Sequence, residues 1–297
     1  MTVKKWTLDW AGKTLTVETG KFSLQADASC TVRYGDTVLL ATAVMSKKTR
    51  EGIDFLPLMV NFEEKLYAAG KIKGSRFIKR EGRPSDDAIL SGRLIDRAIR
   101  PLFNQEMRND VQVILTALSY DGENDPQIPA LIAASIALSL SSIPWDGPIG
   151  GVRVGKVNGE WKLNPNFAER GIGEADIVVA GSPEKVIMVE AGCKEIPEDE
   201  VVKAMQMGEE ALGSIVNFIK QIQKEAGAEK IDFAATKDEK ELKLRAIEKE
   251  MKEFVASHVN DWIFDNKKKG RAERVAMVDR FSEAVKKILE EKEVEAD

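Results

Sequence analysis

Short runs of alternating apolar and polar residues dominate the chain between residues 15 and 45, as expected for β-strands with one buried face. These runs are LTVET, FSLQADASCTVRY and TVLLATAVM, and the turns Gly20-Lys21 and Gly35-Asp36 separate them. Turns of this kind between strand-like runs favour hairpins, so the pattern predicts an antiparallel β-meander. Residues 53–61 are predicted to form a further extended stretch.

Two helices are predicted in the next part of the chain. Residues 86–102 show helical periodicity, and Pro101 ends that helix because proline cannot continue it. The segment PALIAASIALSLSS at 129–142 is apolar on nearly every side, which indicates a helix buried inside the domain. Between these helices, VQVILTALS at 111–119 is predicted to be a buried strand.

Beyond this helix pair, DIVVAG and KVIMVEAG are predicted to form a hairpin around Ser182-Pro183. Apolar residues then recur at spacings of three and four over 201–222, which is typical of an amphipathic helix packed on the core. Near residue 236 the pattern changes to two charged helices with no strand signal. We therefore predict a first domain at 1–235 and a small all-α domain at 236–297. The latter has 15 basic and 16 acidic residues, so its net charge gives no reason for it to bind RNA by itself.

Composition narrows the class of protein. The chain has 297 residues, 43% apolar and 31% charged, and no apolar run approaches the roughly 18 residues of a membrane span. Its first residues lack a secretory signal and it has two cysteines, Cys30 and Cys193, so we expect a cytoplasmic protein without a membrane partner. His258 is the only histidine, which argues against zinc clusters and histidine-based catalysis.

One stretch departs from the acidic balance of the chain, whose net charge is −5. Residues 71–100 contain nine basic and four acidic residues. Arg93, Arg97 and Arg100 are spaced i, i+4 and i+7, which puts their guanidinium groups on one helix face, away from the apolar Leu90, Leu94 and Ile95. The loop before that helix adds Phe77, Lys79, Arg80 and Arg83.

An aromatic ring among cations suits single-stranded nucleic acid, because bases stack on the ring while the cations hold phosphates. The candidate RNA-binding residues are therefore Phe77, Lys79, Arg80, Arg83, Arg93, Arg97 and Arg100. Two alternatives stay open at this point. The helix face can be an ordinary solvated surface with pairs such as Asp96 with Arg100, and Phe77 can belong to the core.

Three segments resemble the first RNase PH-type core of the bacterial polynucleotide phosphorylase family. They are ETGKFSLQADASCTVRYGDTVLLAT, FIKREGRPSDDAILSGRLIDRAIRPLF and SIALSLSSIPWDGPIGGVRVG. The resemblance covers residues 3–230, and residues 237–297 are similar to the family's helical linker domain. It implies an α+β fold: an RNase PH-like βαβ core of the ribosomal protein S5 domain 2 type, followed by a small all-α domain.

The resemblance also implies an activity. Members of the family degrade mRNA from the 3′ end by phosphorolysis, releasing nucleoside diphosphates with Mg²⁺ and inorganic phosphate. They assemble as trimers into rings of six RNase PH-like cores around a channel for single-stranded RNA. The family's second RNase PH core, KH and OB-fold modules have no counterpart in this sequence, so a missing second-core segment and RNA-degradation partners are expected to act with it.

In the family the active site belongs mainly to the second core, where a serine cluster holds phosphate and an Asp-x5-Asp-x-Lys pattern supplies two carboxylates and a lysine. Here Arg170 stands at the first aspartate of that pattern, Asp176 at the second and Val178 at the lysine. The segment NDPQIP at 124–129 replaces the serine-rich turn. One carboxylate cannot hold metal as two do. We expect no catalytic residue, metal or cofactor in this chain alone, with Asp176 as a weak candidate better explained as structural.

The loop also departs from the family's commonest form, with Ile78 and Lys79 where a second phenylalanine and an arginine are usual. Stacking would then depend on Phe77 alone. Two other functions remain as alternatives: an RNA-binding and assembly module with no activity of its own, and a stand-alone RNase PH-type enzyme. The chain can be a truncated or a split gene product.

Overall fold

A computed structural model of the chain describes residues 2–50, 52–72, 74, 82–232, 239–259 and 270–291. It consists of two compact units, Met1–Asp232 and Phe233–Asp297. The domain boundary predicted at 235/236 lies outside the described residues.

A six-stranded sheet forms one layer of the first unit, with the strand order β1-β2-β3-β4-β6-β5. Neighbouring strands are antiparallel except β5 and β6, which run parallel and are joined by a crossover helix, giving a βαβ unit. The predicted meander is confirmed as β2 to β4. The strands are β1 (Lys4–Trp10), β2 (Lys13–Thr19), β3 (Ala28–Tyr34), β4 (Thr37–Thr49), β5 (Leu58–Glu63) and β6 (Asn109–Ser119).

The crossover helix, α1 (Asp86–Ile99), begins where the sequence predicts. The Ser85 hydroxyl accepts the N–H of Ala88 at 3.0 Å, which satisfies one of the free donors of the first turn. The helix ends at Ile99 and continues only as a single 3-10 turn, Arg100–Leu102, with Pro101 at its start. Proline lacks the N–H that a further α-helical turn requires, so the change occurs at that residue.

At the centre of the unit lies α2 (Gln127–Leu140), in which every residue after Gln127 is buried. Its uniform apolar surface is needed because it packs against β3 and β4 on one side and against a second sheet and a long helix elsewhere. This confirms the prediction of an inner helix.

The second sheet has four antiparallel strands in the order β10-β9-β7-β8. Gly150 and Gly151 allow close packing there, since a Cβ atom on Gly151 would lie 2.0 Å from Leu131 of α2. The predicted hairpin is confirmed as β9 and β10. The elements are β7 (Gly150–Val157), β8 (Glu160–Leu163), α3 (Phe167–Ile172), β9 (Ala175–Ser182), β10 (Lys185–Cys193) and the long helix α4 (Glu198–Ala226).

After α4 the chain returns to the end of α2. The N–H of Ala228 donates to the carbonyl of Leu140 at 2.9 Å. The Lys230 ammonium donates to the carbonyls of Leu138 and Ser141 at 2.6 and 2.8 Å. The last carbonyls of a helix have no partner within it, so residues 227–232 supply partners and close that end of the core. Burial lowers the pKa of Lys230 to about 8.

The sequence pattern was wrong about where β3 begins. A strand was predicted over 22–34, but the first six of these residues form a turn in which Ser23 adopts φ 52° and its carbonyl accepts the N–H of Ala26. The turn brings the Asp27 carboxylate to the N–H of Met45 at 2.6 Å, an interaction that an extended segment would not permit. Likewise, the extended stretch predicted at 53–61 becomes a strand only from Leu58.

The second unit contains α5 (Glu239–Val259) and α6 (Arg271–Glu291), with no strand among its described residues. None of the helices in the described part of the chain is long and apolar enough to cross a membrane.

Candidate functional site

The three arginines predicted to share a face of α1 have different surroundings. Arg93 is exposed and has no hydrogen-bond or ion-pair partner among the described residues. Arg97 is also exposed, and its guanidinium forms an ion pair with Glu190 of β10 and lies 3.9 Å from the Met188 sulfur. Arg100 is half-buried.

All three guanidinium nitrogens of Arg100 donate hydrogen bonds within the protein. Nε and Nη2 donate to the Asp96 carboxylate at 2.9 and 2.7 Å. Nη2 also donates to the carbonyl of Leu58 at 3.0 Å, and Nη1 lies 3.4 Å from the carbonyl of Leu56. The Asp96–Arg100 pair considered from the sequence is therefore present, and this arginine is already fully engaged.

Of the two carbonyls that Arg100 binds, that of Leu58 belongs to the first residue of β5, and that of Leu56 lies just before the strand. Between them, the carbonyl of Pro57 accepts the N–H of Val111 of β6. Because successive carbonyls along an extended chain point in opposite directions, the carbonyl of Leu58 points away from β6. The carbonyl of Leu56 also accepts the N–H of Leu58 at 2.9 Å. Arg100 thus covers part of the free edge of the six-stranded sheet, where unpaired groups would otherwise invite another strand.

Of the loop residues, Phe77, Lys79 and Arg80 lie outside the described part of the chain. Arg83 is described and exposed, two residues before the cap of α1. Of the apolar residues set apart from the arginines in the sequence, Leu94 and Ile95 are buried, whereas Leu90 is 59% exposed.

A second cluster of charges surrounds Asp176 on β9. Its Oδ1 atom accepts a hydrogen bond from Nη1 of Arg153 at 2.5 Å, and its Oδ2 atom accepts one from Nη2 of Arg170 at 2.8 Å. Arg153 lies on β7 and Arg170 lies on α3. Asp176 is the one acidic residue among the three that stand in the family's Asp-x5-Asp-x-Lys pattern. Both of its carboxylate oxygens are therefore bound to arginine side chains.

Asp125, two residues before α2, closes this cluster into a ring. Its Oδ2 atom lies 2.7 Å from Nη2 of Arg153 and 2.9 Å from Nη1 of Arg170, while Oδ1 accepts the N–H of Gln127 at 2.8 Å. Two cations and two anions alternate, so the formal charges of these side chains cancel.

Local structure explains why Arg170 reaches the ring. It lies in the last turn of α3, a short helix that begins with a reciprocal cap between Asn166 and Glu169. The Asn166 side chain accepts the N–H of Glu169 at 2.9 Å, and the Glu169 carboxylate accepts the N–H of Asn166 at 3.0 Å. The cap fixes the helix beside β9.

The ring fits neither a divalent cation nor a phosphate ion. A metal ion would need carboxylate oxygens that are free of competing cations, but three of the four oxygens are bound to arginine and the fourth, Oδ1 of Asp125, accepts the N–H of Gln127. Among the described residues, no group of three His, Cys, Asp or Glu side chains could hold a metal. Ile128 and Pro129, which replace the serine-rich turn, are buried, and the cavity beside them has a volume of about 10 Å³. Such a space accommodates one water molecule at most.

The loop before α2 is further held by Asp121. Burial would raise the pKa of its carboxyl group, but hydrogen bonds from Asn124 and from the N–H groups of Glu123 and Asp36 outweigh it and lower the pKa to about 2. The ionised carboxylate accepts from Asn124 Nδ2 at 2.5 Å within the loop, and it accepts the N–H of Asp36 at 3.1 Å, which ties the β3–β4 turn to this loop.

Sequence reasoning missed Arg153, Asp125 and Glu190. Arg153 carried a usable signal: it stands in the middle of the apolar strand GGVRVGKV, and a buried arginine requires an anionic partner. Asp125 and Glu190 had no comparable signal, because their partners are distant in sequence.

Comparison with known proteins gives this geometry a family context. Residues 11–144 match domain 1 of the 3′ exoribonuclease family, and residues 147–211 match domain 2 of the same family. The chain belongs to the 3′ exoribonuclease family. The predicted RNase PH-like fold is confirmed, and the 3′ exoribonuclease match includes α1 and every residue of the charged ring.

Curated members of the family are close in sequence. Polyribonucleotide nucleotidyltransferase of Halothermothrix orenii is 47% identical over 94% of the chain and 38% of its own length. The enzyme of Heliobacterium modesticaldum is 48% identical over 86% and 35%, and that of Finegoldia magna is 46% identical over 95% and 39%. The chain spans little more than a third of these relatives and corresponds to their N-terminal, RNase PH-like portion.

A solved structure shows the same fold. The crystal structure of rice (Oryza sativa) Rrp46 matches with a TM-score of 0.58, covering 70% of this chain and 94% of the rice protein. The sequence identity is 16%, so this likeness concerns the fold alone.

Proposed function

We propose that this chain is the catalytically inactive first core of a 3′-to-5′ phosphorolytic exoribonuclease, and that it contributes RNA binding and ring assembly. The complete enzyme would convert RNA and phosphate to nucleoside diphosphates during mRNA degradation in the cytoplasm. Its partners would be single-stranded RNA, two further copies in a trimer, a second-core segment and other RNA-degradation proteins. Relatives named polyribonucleotide nucleotidyltransferase support this assignment.

The closed ring of Arg153, Asp125, Arg170 and Asp176 is the observation that supports inactivity. Phosphorolysis needs a phosphate ion placed in line with the terminal phosphodiester, and cationic groups that offset the developing charge. Here the two arginines are neutralised by the two aspartates. Mg²⁺ and phosphate would therefore bind to the second core of the complete enzyme rather than to this chain.

The exposed part of the α1 face supports RNA binding. Arg93 presents a guanidinium with no partner among the described residues, which suits bidentate contact with phosphate. Arg83 stands nearby in sequence, at the end of the loop that also contributes Phe77, Lys79 and Arg80. Arg97 is accessible but paired, and Arg100 serves the sheet edge instead.

The test of inactivity is an assay of this chain with poly(A), phosphate and Mg²⁺, with a full-length relative as the positive control. We expect no release of adenosine diphosphate by the chain. Release that disappears in Asp176→Asn would overturn the proposal and favour a stand-alone RNase PH-type enzyme.

RNA binding is tested separately, with a fluorescently labelled single-stranded oligoadenylate titrated at several salt concentrations. Arg93→Ala should weaken binding and reduce the salt slope by about 0.7. Arg33→Ala is the matched control, because Arg33 is an exposed arginine on β3, outside the α1 face. Equal effects of the two substitutions would contradict an RNA-binding role for α1.

A further inference from the structure

The partner of Arg97 is an acidic residue from a different layer of the molecule. Glu190 lies on β10, which forms one edge of the second sheet, whereas Arg97 belongs to the helix that covers the first sheet. The two side chains expose 53% and 54% of their surface. The Arg97 guanidinium also contacts the buried Met188, so the pair is seated on the body of the unit.

Arg93 lies one helical turn from this pair. Four residues of α-helix advance about 6 Å along the axis, so a phosphate bound to Arg93 would lie close to both Arg97 and Glu190. The Glu190 carboxylate is bound to the Arg97 guanidinium, which is the group that the next phosphate along the strand would contact. The negative charge of Glu190 also repels that phosphate. An exposed ion pair is weak enough for RNA to displace it, and strong enough to reduce affinity.

We propose that Glu190 is an internal competitor of RNA for Arg97, which lowers the affinity of the α1 face and keeps the strand exchangeable. This proposal rests on the proposed RNA-binding function of that face. Glu190 acts as a phosphate substitute, and in a fraction of the RNA complexes it keeps Arg97 from neutralising the adjacent phosphate. The occupant it competes with is the sugar-phosphate backbone, so the effect is independent of base identity.

Glu190→Gln tests the competition, with Glu184→Gln as the matched control. Glu184 is exposed on the same hairpin, and six residues of strand place it about 20 Å away, beyond the reach of a screened charge. Glu190→Gln should tighten oligoadenylate binding about three- to five-fold and steepen the salt slope by about 0.7, because Arg97 becomes free to neutralise a phosphate. Glu184→Gln should leave both quantities unchanged.

A double-mutant cycle with Arg97→Ala separates competition from general repulsion. In the Arg97→Ala background, Glu190→Gln should no longer steepen the salt slope, since no cation is released. A steeper slope in both backgrounds, or no steepening with Arg97 intact, would overturn the competition.

Arg93→Ala keeps the two proposals distinguishable, because Arg93 has no competitor among the described residues. If Arg93→Ala leaves binding unchanged, the α1 face is not an RNA-binding surface and the underlying function fails. If Arg93→Ala weakens binding while Glu190→Gln behaves like Glu184→Gln, the role of Glu190 alone is wrong. A thermal melt of each variant checks folding, which these exposed substitutions should leave intact.

Discussion

Arg153 and Asp125 form a buried ion pair, with Nη2 and Oδ2 2.7 Å apart and side chains only 6% and 7% exposed. Taking two charges out of water is costly, and the cost is recovered only while both partners remain. The pair joins β7 to the segment that starts α2. Its integrity therefore affects the packing of both layers of the first unit.

Arg153→Met should destabilise the chain by about 3 to 5 kcal/mol, because it leaves Asp125 and Asp176 with one cation between them. Urea denaturation measures the change. Lys162→Met is a suitable control, since Lys162 forms a more exposed pair with Glu169 and should cost less than about 1 kcal/mol. Adding Asp125→Asn to Arg153→Met should recover part of the loss. If Arg153→Met alone lowers the free energy of unfolding by less than about 1 kcal/mol, the ring contributes little to stability.

Arg93 and Arg100 should respond differently to truncation. Arg100→Ala should cost about 1.5 to 3 kcal/mol of stability, because a charged donor to Asp96 and to the carbonyl of Leu58 is lost. Arg93→Ala should change stability by less than about 0.5 kcal/mol. In RNA titrations the order reverses, with Arg93→Ala reducing the salt slope and Arg100→Ala leaving it unchanged. If the two substitutions change both stability and the salt slope equally, then Arg93 and Arg100 do not have separate roles in RNA binding and in stability.

Acid should destabilise the chain partly through Asp121. Its folded pKa of about 2 is below the ordinary value of 3.8, so its contribution to stability is complete above pH 4 and is lost as the pH falls towards 2. Solvent screening limits the contribution to about 1 kcal/mol. Asp121→Asn should flatten the stability profile between pH 4 and 2. An unchanged profile would mean that the hydrogen bonds to Asp121 do not favour its ionised form.

Phe77 lies outside the described residues, and its role stays a prediction from the sequence. If it stacks on RNA, Phe77→Ala should cost about 1 to 3 kcal/mol of binding per base, equally for poly(A) and poly(U). If instead it belongs to the core, truncation should cost about 3 to 5 kcal/mol of folding stability. Measuring both quantities on one variant decides between the two.

Much of the fold was predictable because its signals are local. The turns Gly20-Lys21 and Gly35-Asp36 predicted the meander, and the uniform apolar character of α2 predicted its burial. By contrast, β1 was missed, and the start of β3 was misplaced because Asp27 forms a contact with the distant Met45. Such long-range hydrogen bonds leave no periodic pattern in a sequence.

The candidate site was predictable only in part, for the same reason. Spacing correctly placed Arg93 and Arg97 on the exposed side of α1. It could not foresee that Arg100 would bind the edge of β5, or that Glu190 would lie beside Arg97, because both depend on how separate elements pack. Arg170 at the first acidic position of the family's pattern was noted from the sequence, but the ring that it forms with Asp176, Arg153 and Asp125 was not foreseen.

The return of residues 227–232 to the end of α2 has a consequence for how the chain can be divided. The Lys230 ammonium and the Ala228 N–H bind carbonyls at the end of that helix, so these contacts lie within the first unit, before residue 233. Insertions, deletions or gene fusions placed after residue 232 leave these contacts untouched. The first unit should therefore keep its stability when the segment after residue 232 is removed or exchanged.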